Sequence, residues 1–171
     1  MKKQLIEKCK KIEIVLTDVD GVLTDGGMYY SAQGDVLKKF HARDGMGVTL
    51  LRKNKIDTIV ITKEKTKFVK KWSQKMKVKK LFDGIKIKES MIDKICNQYN
   101  IKPENLAYIG DDVNDIQIMK KCGLSITPKN AVKEVKEIAD YISEIKGGEG
   151  VFRDAADLIL TNKLGDKKKL Y

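Results

Sequence analysis

Histidine, arginine and cysteine are all scarce in this chain, and each shortage argues against a class of function. His41 is the sole histidine, so a zinc centre built on imidazole ligands is not expected. Of the 35 basic residues, only Arg43, Arg52 and Arg153 are arginine. Readers of nucleic acid lean on arginine for bidentate contacts, and the lysines here are spread along the chain without interleaved aromatics. The formal charge of +11 therefore reads as a solvated surface suited to an anionic small molecule, with no nucleic-acid partner. Cys9, Cys96 and Cys122 are odd in number and contain no CxxC pair. Reduced thiols in a cytoplasmic protein fit that pattern, and Cys122 reads as core filler rather than as a nucleophile. No stretch approaches the roughly 18 continuous apolar residues of a membrane span. Behind Met1-Lys2-Lys3-Gln4-Leu5 there is no long apolar run, so neither a membrane association nor a signal peptide is expected. The lysine run 167–169 reads as a disordered tail rather than a binding arm.

What is present is acid at the ends of apolar strands. The run Ile14-Val15-Leu16-Thr17 leads into Asp18-Val19-Asp20-Gly21. Strand alternation puts residues 18 and 20 on one side, and two buried acids side by side are costly unless a cation or a reaction needs them. A second cluster, Gly110-Asp111-Asp112-Val113-Asn114-Asp115, follows the apolar segment 106–109. Brought together, the two clusters would form an oxygen-ligand site of the kind Mg²⁺ prefers.

At 171 residues one domain with a substantial core is expected. Strand candidates are 12–17, 56–61, 78–82, 106–109 and 123–126, alternating with helical spacings near 65–76, 89–99 and 130–139. This alternation predicts an α/β, Rossmann-like three-layer sandwich around a central parallel sheet. Ligands of such sheets gather beyond the carboxyl ends of the strands, where Asp18, Thr62 and Asp111 fall. Residues 26–40 break the alternation and read as a β-hairpin flap turning near Gln33-Gly34 and projecting over that crevice. The intervals from Asp20 to Thr62 and from Thr62 to Lys88 are too short to hold a cap domain.

The pattern DxDGVLTD at 18–25 followed by YIGDDxxD at 108–115 resembles the haloacid dehalogenase superfamily of phosphohydrolases. More narrowly, the chain resembles its capless 3-deoxy-ulosonate phosphate phosphatases, which act on 3-deoxy-D-manno-octulosonate 8-phosphate and related nonulosonate 9-phosphates. The resemblance implies that Asp18 is the nucleophile and Asp20 the general acid and base. It implies Mg²⁺ held by Asp18, the carbonyl of Asp20, and Asp111, with Asp112 and Asp115 one layer further out. Thr62 would bind phosphate, although taken alone it is only a helix N-cap candidate. Lys88 would place a point charge on the phosphoryl group, with Lys86 as the competing register, and Asp115 would anchor it.

The same resemblance puts Thr24, Arg43, Glu64, Lys75 and Arg153 on the substrate side, and implies a homotetramer with shared active sites. In that reading residues 147–171 are a tail crossing to a neighbour. The sequence Ile61-Thr62-Lys63-Glu64 departs from the ITGR usual in octulosonate enzymes. Glu64, with Lys75, resembles the nonulosonate branch, and Lys63 replaces the glycine of both branches. The alternative reading is a non-catalytic module of the superfamily that promotes oligomerisation beside a sugar-acid cytidylyltransferase.

Overall fold

In the computed structural model, which describes residues 2–165, strand alternation sorts the apolar side chains into two cores. The lysine run 167–169 lies outside the described residues. Six strands form a parallel sheet in the order β5-β4-β1-β6-β7-β8. They are β1 (Ile14–Thr17), β4 (Asp57–Ile61), β5 (Lys80–Phe82), β6 (Leu106–Ile109), β7 (Leu124–Thr127) and β8 (Tyr141–Ile142). Val15, Val60, Ala107, Ile109, Leu124 and Ile126 face one side. There they meet helices α1 (Lys2–Lys11), α2 (Ala42–Lys53), α3 (Lys67–Met76) and α7 (Val151–Leu164). Ile14, Leu16, Ile59, Ile61, Leu106 and Tyr108 face the other side and pack on α4 (Met91–Tyr99), α5 (Ile116–Lys121) and α6 (Lys133–Ile138). The result is the expected three-layer α/β sandwich, since each sheet face must be covered by helices when every strand is parallel.

Register places the site. Thr17 pairs with Ile109 on one side and Val60 on the other, so β1, β4 and β6 end side by side. The chain leaves β1 toward β4 and enters β6 from the opposite half of the sheet, which makes the β1–β6 boundary the switch point. The expected flap is also present. β2 (Tyr29–Ser31) and β3 (Gly34–Leu37) pair antiparallel, and a bridge between Thr24 and Phe40 closes the base of the hairpin.

Three expectations need correction. First, α2 was not anticipated: no helical spacing was assigned between the flap and the strand candidate 56–61. Its glycines permit close crossing. A Cβ on Gly45 would come 2.3 Å from Met76 Sδ, and one on Gly47 3.1 Å from Arg153 Cα. Second, the edge strand β8 is too short to carry a periodic signal. Third, residues 147–164 are not a free tail. Val151, Phe152, Ala155, Ala156, Ile159 and Leu160 recur at helical spacing and are buried in the core. Their burial holds α7 to its own chain, and Lys163 Nζ donates to the carbonyls of Lys10 and Ile12 at 3.0 and 2.6 Å.

Just before α7 the chain crosses the turn that follows β1. Gly148 N–H donates to the Val22 carbonyl at 2.9 Å, and a Cβ on Gly147 would sit 1.8 Å from the Gly21 oxygen. Among the described residues, no helix is long and apolar enough to cross a membrane.

Candidate active site

The ends of β1 and β6 converge on Asp18. Its backbone N–H donates to the Ile109 carbonyl at 3.0 Å, which fixes the position of the side chain, 6% exposed. Lys88, in a short 3₁₀ turn at Lys88–Ser90, is 1% exposed and places Nζ 2.7 Å from Asp18 Oδ2. The same ammonium lies 2.7 Å from Asp115 Oδ1. Lys86, the competing register, is exposed.

Asp115 works as a bracket. Its Oδ1 also accepts from Tyr108 Oη at 2.7 Å, and its Oδ2 accepts from the backbone N–H of Asp111 at 3.0 Å. Lys88, Tyr108 and the Asp111 N–H are thus committed to Asp115 and Asp18. Asp111 Oδ1 is left buried without a hydrogen-bond partner.

These contacts leave the cluster short of positive charge. Single oxygens of Asp18, Asp111 and Asp115 lie within 4.8 Å of one another, against one ammonium. Burial, and then the charge of Asp115, push the Asp18 carboxyl up from 3.8 to about 7, although Lys88 opposes the rise. Burial, then Asp18 and Asp115, push Asp111 up to about 8. For Lys88, burial alone would lower the pKa, but the two carboxylates outweigh it and the net shift is upward. An oxygen-lined, electron-rich pocket with one buried carboxylate oxygen unpartnered fits a hard divalent cation. Asp18 and Asp111 have the oxygens to offer, while those of Asp115 are engaged. Gly21 keeps the space clear: its φ is 85°, and a Cβ there would lie 2.0 Å from Asp111 Oδ2.

Thr62 extends the β4–β5 ladder, its N–H donating to the Phe82 carbonyl at 2.9 Å, and its hydroxyl accepts from the Glu64 N–H at 3.3 Å. Lys63 needs no glycine-like backbone: among the described residues, the non-glycine positions in the left-handed region are Lys55, Lys77 and Asn100. Thr62, Asp18, Lys88, Asp111, Asp112 and Asn114 all line a cavity of about 180 Å³. A second cavity, about 230 Å³, lies under the flap and is bordered by Tyr29, Tyr30 and Lys38. Asp20 and Glu64 border both.

Other expected substrate-side residues are elsewhere. Thr24 is buried and donates to Asp20 Oδ1 at 3.2 Å, so it supports an acid rather than lining either cavity. Arg43 is exposed on the first turn of α2. Lys75 borders a separate surface hollow with Phe40, Phe68 and Trp72. Arg153 pairs through Nε with Asp157 at 2.8 Å, and its backbone N–H donates to the buried Asp44 Oδ1 at 2.9 Å.

Sequence reasoning missed Tyr108 and Lys38. Tyr108 could have been found by alternation, since it shares a sheet face with Leu106 and precedes the acid cluster. Lys38, one lysine among many, gave no signal.

Residues 4–153 match the family model described as haloacid dehalogenase-like hydrolase. The chain belongs to this family. It is similar to the 3-deoxy-D-manno-octulosonate 8-phosphate phosphatase KdsC of Haemophilus influenzae, 36% identical over 154 residues, covering 90% of this chain and 86% of the relative. The cobalt-bound deoxy-D-mannose-octulosonate 8-phosphate phosphatase (YrbI) from Haemophilus influenzae superposes with a TM-score of 0.90 at 34% identity, covering 95% of this chain and 98% of that one. A third relative, the Moraxella catarrhalis octulosonate 8-phosphate phosphatase in complex with magnesium ion, phosphate ion and KDO, gives a TM-score of 0.93 at 27% identity. It covers 96% of this chain and 95% of that one. Family and relatives together make this hydrolase a phosphoric monoester hydrolase, and its acid cluster has the make-up of a divalent-metal site.

Proposed function

We propose that the chain is a cytoplasmic, Mg²⁺-dependent phosphatase of a 3-deoxy-2-ulosonic acid phosphate, acting through an aspartyl-phosphate. The observation that carries this reading is Asp18, 2.7 Å from Lys88, lining the cavity of about 180 Å³ together with Asp111, one of whose oxygens is unpartnered. Asp18 attacks phosphorus, and the bond to the leaving sugar oxygen breaks as Asp20 donates its proton to that oxygen. Asp20, now a carboxylate, takes a proton from water; that water attacks the aspartyl-phosphate, frees inorganic phosphate and restores Asp18. The Thr62 hydroxyl and Lys88 ammonium hold phosphoryl oxygens. Mg²⁺ on Asp18, Asp111 and the carbonyl of Asp20 would supply the charge that lets a carboxylate and a phosphate dianion approach.

The relatives favour 3-deoxy-D-manno-octulosonate 8-phosphate as substrate. Glu64, bordering both cavities where octulosonate enzymes usually carry arginine, favours a nonulosonate 9-phosphate as the second reading. Mg²⁺-dependent phosphate release should be measured on both. The larger kcat/KM names the substrate, whereas inactivity on both would leave the non-catalytic module as the better reading.

A homotetramer supports the same chemistry. Met28, Tyr30, Val36 and Leu37 of the flap are exposed, an apolar surface that a second copy would cover. Arg43, Lys75 and Arg153, which border neither cavity of the site in their own chain, would then reach substrate from a neighbour. Light scattering giving a fully active monomer would refute this assembly.

A further inference from the structure

Asp20 Oδ1 carries two donors, and both belong to the base of the flap. Thr24 Oγ1 donates to it at 3.2 Å, and Lys38 Nζ forms an ion pair with the same oxygen. The two donors are linked, because Thr24 bridges to Phe40, two residues beyond Lys38. No donor among the described residues reaches Oδ2 of Asp20.

A lysine on a surface hairpin ordinarily keeps its ammonium in water. Lys39 stays at the surface, its side chain 56% exposed and its ammonium 3.5 Å from Asp25 Oδ2, whereas that of Lys38 is only 10% exposed and turns inward. Ordering and desolvating a lysine is unfavourable unless the pairing returns the cost. The two acids of the DxD pair are therefore held independently, Asp18 by Lys88 from beneath and Asp20 by Lys38 from the flap.

We infer that Lys38 is a positioning residue for proton transfer. With Thr24 it occupies Oδ1 of Asp20, leaves Oδ2 to face the leaving oxygen, and ties that orientation to the seating of the flap. The inference rests on the Asp20 role proposed above. It follows from geometry: a proton donor must present one oxygen within hydrogen-bond reach of the leaving group, and a carboxylate free to rotate would present either, or neither. A competing role is visible in the same place. Lys38 also borders the cavity of about 230 Å³ under the flap, where an ammonium could simply bind an anionic substrate group.

Leaving-group dependence separates the two. Lys38→Met and Lys38→Arg should be compared with wild type on octulosonate 8-phosphate, a poor alkoxide leaving group, and on 4-nitrophenyl phosphate, which departs with little protonation. For Lys38→Met, kcat on the sugar phosphate should fall about 100-fold, against less than about tenfold on the nitrophenyl ester, with KM within about threefold. Lys38→Arg should recover most of the loss, and Lys38→Met should add little in an Asp20→Asn background. Thermal melting of each variant checks that the fold is intact. Equal losses of kcat on both substrates, a rise confined to KM, or a full additive loss in Asp20→Asn would each overturn the inference. Wild-type protein inert on both substrates would remove the Asp20 role itself, a failure distinct from these.

Discussion

Withholding divalent cations should make this protein progressively less stable as pH rises from about 5 to 8. Asp18 sits at about 7 and Asp111 at about 8 in the fold, whereas an unfolded aspartate ionises near 3.9. Between those values the folded chain keeps protons that the unfolded chain has lost, so the unfolding free energy falls with rising pH. One pKa unit corresponds to about 1.36 kcal/mol. The rise of the 6%-exposed Asp18 from 3.8 to about 7 thus amounts to stability on the order of 4 kcal/mol, present near pH 4 and gone above pH 7. That is a large part of the roughly 5–15 kcal/mol available to a domain. Mg²⁺ competes with those protons and stabilises more strongly at higher pH, which flattens the profile. A residual slope should survive in Mg²⁺, because Asp44 is also raised to about 7 by burial, in a separate place against the start of α7. Urea unfolding followed by circular dichroism, at intervals from pH 5 to 8, in chelator and in Mg²⁺, tests this for wild type and Asp44→Asn. The expected order of slopes is steepest for chelated wild type, shallower in Mg²⁺, and nearly flat for Asp44→Asn in Mg²⁺. A chelated wild-type protein whose stability is constant or rises over this window would refute the argument that the cluster lacks a cation.

Asp18→Asn should lower kcat by at least about a thousandfold in a chain that still folds, since an amide is a poor nucleophile; residual turnover within tenfold of wild type would remove Asp18 from that role. Tyr108→Phe takes one of the two side-chain donors from Asp115 and should cost about 1–3 kcal/mol in chemical unfolding, with an unchanged midpoint counting against the bracket. Gly147→Ala drives a methyl group into the Gly21 carbonyl and should cost about 1–3 kcal/mol together with at least a tenfold loss of kcat; wild-type kinetics would show that the crossing does not position the turn. Chelation should stop phosphate release without unfolding the chain at neutral pH, and full activity in chelator would eliminate the metal role.

The sheet was legible because its strands are short runs of β-branched and aliphatic residues interrupted by glycine and acid. β6 was read with the bounds observed, and β1 and β4 within two residues. The buried acids were legible for the same reason, each lying directly after such a run. α2 and α7 were not, and both hide behind glycine. Gly45 and Gly47 look like loop residues until α3 and α7 are seen passing over them, and Gly147 to Gly150 suggested a loose tail just where a core helix begins. The pairing of Lys38 with Asp20 was illegible for another reason. Lysine is so common in this chain that only burial distinguishes one copy, and burial on a hairpin depends on the path of the backbone. Arg43, Lys75 and Arg153 were placed by resemblance, and a single chain does not bring them to the cavity.

The crossing of Gly147 and Gly148 over the turn after β1 has a consequence for how the enzyme matures. Synthesis runs from the N-terminus, so Asp18, Asp20 and the turn beyond them leave the ribosome long before the segment that braces them. A nascent chain halted near residue 140 would contain the whole acid cluster and both lysines, yet lack the Gly148 hydrogen bond to Val22 and the apolar face of α7 that completes one core. Chemical competence should therefore arrive late and all at once, on release of α7. Stalled chains of increasing length, assayed for phosphate release, should stay silent until α7 is free of the exit tunnel, and activity in a chain ending near residue 140 would contradict this order of events.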